Sequence, residues 1–125
     1  EFDRAYAERL AAGAAASARQ TVILTGVGFE PGKTGFLLWK DGESSYYAHE
    51  KSACGGYGTG DVFASALAGL LVRGAPLSDA LETATALTDE SICRSLWRDT
   101  PRHFGVDFEG ALPAYIRRVE KIFEA

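Results

Sequence analysis

The spacing of apolar residues changes from helical to extended along the first quarter of the chain. Phe2, Tyr6 and Leu10 recur every four residues in an Ala-rich stretch, which predicts a helix from about residue 2 to 18. The following run from Thr21 to Val27 is rich in β-branched residues and has no helical period. Such a run is typical of a buried strand.

A hairpin is predicted next. Residues 28–35 contain several glycines and a proline and are expected to form a loop. Residues 36–39 then form an apolar strand, and residues 45–49 form its partner. Between them, Asp41-Gly42 has the composition of a two-residue hairpin turn.

The second half of the chain shows helical spacing. Apolar residues recur every four positions from residue 62 to 71, which predicts a helix that starts at Asp61 and ends at Gly74. Pro76 opens another helix, and residues 98–110 lack a regular period. A last helix is predicted by six apolar residues: Leu112, Tyr115, Ile116, Val119, Ile122 and Phe123. This order of elements suits one end of an α/β layered domain.

Composition excludes several classes of protein. The 125 residues are 46% hydrophobic and 24% charged, so the chain can build a core and does not resemble a disordered segment. The net charge of -4 and the absence of a basic stripe argue against nucleic acid or an anionic membrane as partner. Cys54 and Cys93 are far apart, which favours two buried free thiols in the cytoplasm.

The chain contains no Met and opens inside a predicted helix. We therefore expect residues 1–125 to be a single partial domain within a longer protein.

The strongest candidate for chemistry is the segment Gly58-Thr59-Gly60-Asp61, which leads into the apolar helix. A helix N-terminus presents unpaired backbone N–H groups and a partial positive charge, and glycines let that backbone approach a phosphate closely. An Asp in the first turn can accept a proton from a hydroxyl that attacks the phosphorus. The alternative is an ordinary capped helix, because Thr, Gly and Asp also occur there for stability alone.

The segment from Tyr57 to Leu67 resembles the signature of pyridoxal kinases in the ribokinase-like superfamily, both in its Gly-Thr-Gly-Asp core and in the Phe63-Ala64 that follows. Upstream, Val22-Ile23-Leu24-Thr25 resembles the strand of that family that ends near the ATP phosphates. The resemblance implies an α/β fold, namely the C-terminal part of a ribokinase-like three-layer α/β/α domain with a β-hairpin.

The same resemblance implies roles for five residues. Asp61 would be the catalytic base that deprotonates the hydroxymethyl group of pyridoxal, pyridoxine or pyridoxamine. Gly58, Thr59 and Gly60 would form an anion hole that binds the nucleotide, and Thr25 would contact the ATP phosphates. ATP and Mg²⁺ are the implied cofactors, and a monovalent cation is compatible by family analogy. The resemblance implies no metal ligand in this sequence, because the acidic site of the family is expected in the N-terminal half, which this sequence does not contain.

Three alternatives stay open. Relatives that phosphorylate hydroxymethylpyrimidine commonly carry Cys at the position of Asp61, and sugar kinases of the superfamily more often have Ala at the position of Thr59. Another member of the superfamily with a different alcohol substrate therefore remains an alternative. A non-catalytic nucleotide-binding module and a mere helix cap are the other two. The expected partners are a small-molecule substrate and ATP, without nucleic acid or membrane, and a homodimer is compatible with the sequence.

One segment resembles a P-loop but lacks two features that a P-loop requires. Residues 26–34 end in Gly32-Lys33-Thr34 like a P-loop, but the Gly that a P-loop requires five positions before Gly32 is Val27. A P-loop must also open a helix, whereas the residues that follow have a strand pattern. His49 and His103 are isolated and have no ligand partners at metal-binding spacing. We therefore expect no P-loop and no metal site.

Overall fold

The computed structural model describes residues 3–17, 19–51, 58–97 and 105–124. These residues form four α-helices and three strands, and the chain divides into two compact units, Glu1–Lys51 and Ser52–Ala125. The elements are α1 (Arg4–Ala14), β1 (Val22–Val27), β2 (Lys33–Lys40), β3 (Glu43–Glu50), α2 (Thr59–Val72), α3 (Leu77–Trp97) and α4 (Leu112–Phe123), with a 3₁₀ turn at Glu109–Ala111.

The first unit contains a three-stranded antiparallel sheet in the order β1-β2-β3. The predicted turn is confirmed: Asp41 and Gly42 both have positive φ, 53° and 79°, as a tight hairpin turn requires. The strands are longer than predicted, because backbone pairing continues through polar residues as far as the pair Lys33 and Glu50. The prediction that residues 28–35 are all loop was therefore wrong for residues 33–35.

Helix α1 covers one face of this sheet. Its buried residues are Ala7 and Ala11, which form a core with Val27 and Leu37. Tyr6 and Leu10, whose spacing predicted the helix, are 42% and 43% exposed. The contact of α1 with the core is therefore made by small side chains. The helix is also shorter than the predicted 2–18, since its C-cap residue Ala15 is already extended.

Polar contacts also connect α1 to the sheet. The Glu8 carboxylate accepts a hydrogen bond from the Ser44 hydroxyl on β3 and another from the Arg4 guanidinium, at 3.0 Å. These bonds lower the pKa of Glu8, with the Ser44 hydroxyl as the largest cause. At the start of the helix, the Asp3 carboxylate accepts a hydrogen bond from the Tyr6 amide at 2.8 Å. It thereby caps one of the unpaired first-turn N–H groups.

The second unit is helical, with α2 packed against α3 and α3 against α4. Helix α2 buries Phe63, Ala66, Leu67 and Leu70, which recur at helical spacing, as predicted from the apolar pairs. It begins at Thr59, two residues before the predicted start. It is followed by Gly74 at φ 90°, whose amide donates to the Leu71 carbonyl, and this matches the predicted end.

Helix α4 has the bounds that its apolar residues suggested. The Arg73 guanidinium, just after α2, lies 4.3 Å from the centroid of the Phe123 ring on α4. Cys93 is a free thiol but is exposed, so the prediction that it is buried was wrong; Cys54 lies outside the described residues. Within the described ranges, no helix is both long and apolar enough to cross a membrane.

Candidate functional site

The start of α2 depends on the backbone conformation of Gly58. This N-cap residue has φ 83° and ψ 5°, in the left-handed region. An N-cap residue ordinarily has an extended backbone, so this geometry is unusual and favours glycine. A Cβ at Gly58 would meet no atom within 4 Å, so the requirement for glycine comes from φ and not from crowding.

The first N–H groups of α2 precede its helical hydrogen bonds. The first helical hydrogen bond runs from the Val62 amide to the Gly58 carbonyl, at 3.0 Å. The amides of Thr59 and Gly60 precede that bond and have no acceptor within the helix. In the described part of the chain no side chain caps this end by a hydrogen bond. An N-terminus of this kind can hold a negatively charged oxygen.

Asp61 lies in the first turn of α2 and is exposed. Its neighbour Gly60 has open space where a Cβ would stand, since no atom lies within 4 Å of that position. Two residues after Asp61, Phe63 is buried in the helical unit and fixes the helix. A carboxylate on a packed helix beside uncapped amides can accept a proton next to a bound anion.

Thr25 belongs to the sheet and is exposed near the end of β1. The residue after it, Gly26, has φ 70°, and the pairing register shifts between Thr25 and Val27. A buried strand was predicted for this segment. The predicted burial was wrong for Thr25 and Gly26, which are exposed, and the bulge was missed. The signal was a glycine inside a β-branched run, which often marks a bulge.

The structure thus brings four of the predicted residues together at the start of α2: Gly58, Thr59, Gly60 and Asp61. Thr25 lies in the other compact unit. The predicted motif also includes Tyr57, which lies outside the described residues.

The segment that ends like a P-loop opens a strand, as expected. Lys33 and Thr34 are the first residues of β2, so no helix N-terminus follows them. The Lys33 ammonium lies 3.7 Å from the Glu30 carboxylate, and both side chains are substantially exposed. This geometry argues against the phosphate-binding role that a P-loop Lys has.

Within the described ranges, no group of three His, Cys, Asp or Glu residues could hold a metal ion. His103 lies outside these ranges.

Comparison with known proteins identifies the fold. A pyridoxal kinase from Lactobacillus plantarum matches 81% of the chain with a TM-score of 0.70 and 25% sequence identity. This chain has a ribokinase-like kinase fold. A protein assigned as a phosphomethylpyrimidine kinase, from Bacteroides thetaiotaomicron, matches 85% of the chain with a TM-score of 0.64 and 22% identity. The resemblance first seen around the Gly-Thr-Gly-Asp motif is thereby confirmed at the level of structure.

The chain spans 37% and 35% of the lengths of these two kinases. That share agrees with the prediction that it corresponds to one portion of a ribokinase-like kinase. No family model and no curated protein sequence matches the chain.

Proposed function

We propose that this chain is the nucleotide-binding portion of a small-molecule kinase that transfers the γ-phosphoryl group of ATP to the hydroxymethyl group of pyridoxal, pyridoxine or pyridoxamine. One observation carries the proposal: an exposed Asp61 stands in the first turn of a helix that begins, without a side-chain cap among the described residues, at a left-handed Gly58. The ribokinase-like fold supports it, because the motif occurs within a fold shared with a pyridoxal kinase.

The proposed step needs little covalent chemistry from the protein. The Asp61 carboxylate accepts the proton of the substrate hydroxyl, and the hydroxyl oxygen forms a bond to the γ-phosphorus. The bond from that phosphorus to the oxygen bridging the β-phosphate breaks, and ADP leaves with the electron pair. Meanwhile the amides at Gly58, Thr59 and Gly60 donate to the oxygens of the transferred group, where negative charge is concentrated. In this proposal, Thr25 contacts the ATP phosphates.

Mg²⁺ is expected to arrive with the nucleotide, whose phosphates bind it in most enzymes of this chemistry. The described part of the chain provides no cluster of metal ligands, and the roles of Asp61 and the amides do not depend on one.

The second candidate function is phosphorylation of a hydroxymethylpyrimidine, which is suggested by the structural similarity to a phosphomethylpyrimidine kinase. Pyridoxal is preferred over a pyrimidine because the first-turn residue is Asp61, where the pyrimidine branch commonly has Cys.

The test is a comparison of alcohols with the full-length protein that contains this sequence. We expect ATP-dependent phosphorylation of pyridoxal with a higher kcat/KM than that of hydroxymethylpyrimidine or ribose. A preference for one of the other alcohols would support the proposed kinase activity but contradict the proposed substrate. ATP binding without turnover of any alcohol would instead favour a non-catalytic nucleotide-binding module.

A further inference from the structure

The two faces of β1 exchange roles within three residues. Val22 and Leu24 pack against the core between the sheet and α1, as alternation along a strand requires of residues two apart. Thr25 should then share the opposite face with residue 27. Instead, Val27 is only 2% exposed and belongs to the α1 core, whereas Thr25 is exposed.

The pairing register explains the exchange. Leu24 pairs with Leu37, which lies on the α1 face, and Thr25 pairs with Phe36 on the other face. Val27 then pairs with Gly35, which is two residues from Leu37 and so lies on the α1 face again. Gly26 is the extra residue that opposes no partner, which defines a β-bulge.

Gly26 makes this bulge possible through its backbone. Its φ of 70° is readily adopted by glycine, and a Cβ there would meet no atom within 4 Å. The choice of residue at position 26 is therefore limited by backbone conformation and not by space. On its far side, the Tyr46 hydroxyl lies 3.5 Å from the Val27 carbonyl, and Val27 itself is fixed in the core.

Bulges re-aim side chains and occur often beside active sites. We propose that Gly26 is a positioning residue: its bulge turns Val27 into the α1 core and thereby makes Thr25 the last residue on the face of β1 opposite α1, where the Thr25 hydroxyl would meet the ATP phosphates. This inference rests on the proposed function, because it assigns to Gly26 an effect on nucleotide binding that acts through Thr25.

The test uses the full-length protein and a matched pair of glycines. Gly26→Ala introduces a Cβ at positive φ in the bulge, and Gly32→Ala does the same at φ 75° in the β1–β2 loop, also with no atom within 4 Å. Both variants carry the same local strain, so a shared fall in melting temperature measures that strain alone. Only Gly26→Ala is expected to raise the KM and Kd for ATP, by about tenfold, the worth of a hydrogen bond to a charged group. Both kcat and the KM for the alcohol should change less than about twofold.

Rescue and a double-mutant cycle separate positioning from a general loss of structure. Asn tolerates positive φ, so Gly26→Asn should bind ATP like the wild type. Thr25→Val removes the hydroxyl at nearly constant shape and should weaken ATP binding as much as Gly26→Ala does. Because both changes act through one hydroxyl, the double variant should be no weaker than either single variant.

The outcomes are distinguishable. Additive effects, an unchanged ATP affinity in Gly26→Ala, or an equal loss in Gly32→Ala would each overturn the positioning role while leaving the kinase intact. If Gly26→Ala does not fold, Gly26→Asn decides the question. A weakened ATP affinity in Gly26→Asn would contradict the proposal, and an ATP affinity equal to that of the wild type would support it. A wild-type protein that does not bind ATP would contradict the proposed function, and this inference with it.

Discussion

Gly35 on β2 passes so close to the Tyr47 carbonyl on β3 that a Cβ at Gly35 would overlap that oxygen. Gly35 also pairs with Val27 at the end of the bulged strand. A side chain at this position would have to push the neighbouring backbone away, and backbone in the middle of a ladder cannot move without loss of its hydrogen bonds.

Gly35→Ala is therefore expected to lower the free energy of unfolding of the full-length protein by about 2 kcal/mol or more, as overpacking does. Gly13→Ala is the control. Gly13 lies in α1, is exposed and would gain a Cβ in open space, so the change should raise stability by about 0.5–1 kcal/mol. Urea midpoints of the two variants measure the contrast. Equal effects would mean that the strands can separate without cost.

The overall order of elements was predictable because it depends on local chemistry. The apolar period of α4 and the Asp41-Gly42 turn are properties of a few neighbouring residues, and both were predicted correctly. The buried side of α1 was not predictable in this way. The larger apolar residues Tyr6 and Leu10 are exposed, and the buried side carries Ala7 and Ala11, because burial depends on how the helix packs on the sheet and not on its own sequence alone.

In the candidate site, too, the local features were predictable and the features that depend on packing were not. The motif from Gly58 to Asp61 was visible in the sequence because its four residues are contiguous. The bulge at Gly26 was missed because a register shift is a property of two strands, and one strand alone does not reveal its partner's position.

Glu8 and Ser44 provide a test by pH. The hydrogen bond from the Ser44 hydroxyl holds the pKa of Glu8 below its ordinary value of 4.5. A carboxylate with a lowered pKa stabilises the fold above the unfolded pKa, and that contribution is lost as the pH falls through the folded value. Ser44→Ala should therefore shift the pKa of Glu8 upward toward 4.5. An NMR titration of the Glu8 carboxyl measures this shift.

Ser45→Ala is the matched control for that titration. Ser45 pairs with Leu38, whose neighbour Leu37 lies on the α1 face, so Ser45 lies on the opposite side of the sheet. The control should leave the pKa of Glu8 unchanged. An equal shift in both variants would show that the effect comes from the sheet as a whole.

Lys33→Ala is expected to leave the affinity for ATP nearly unchanged, because Lys33 opens a strand and its ammonium lies near Glu30. Such an exposed ion pair contributes little to stability. Isothermal titration of the full-length protein with ATP measures the effect. A loss of more than about tenfold, or roughly 1.4 kcal/mol, would restore the P-loop hypothesis that the structure argues against.

The decisive prediction concerns Asp61. In the full-length protein, Asp61→Asn should lower kcat by about 10²–10⁴, which is the usual worth of a positioned general base. ATP affinity should hold or increase, because the amide does not repel the γ-phosphate as a carboxylate does. The helix should survive, since the loss of one first-turn charge costs only about 0.3–1 kcal/mol.

Asp79→Asn is the matched control, because Asp79 is the acidic residue in the first turn of α3. It should cause a similar small change in melting temperature and leave kcat unchanged, since only the helix dipole is affected. Measuring kcat, the Kd for ATP and the melting temperature on both variants separates the three hypotheses. A base gives lost turnover with intact binding and folding, a binding module has no turnover to lose, and a mere cap makes the two variants behave alike. If kcat of Asp61→Asn equals that of Asp79→Asn and of the wild type, Asp61 has no part in the reaction and contributes only to the stability of the start of α2.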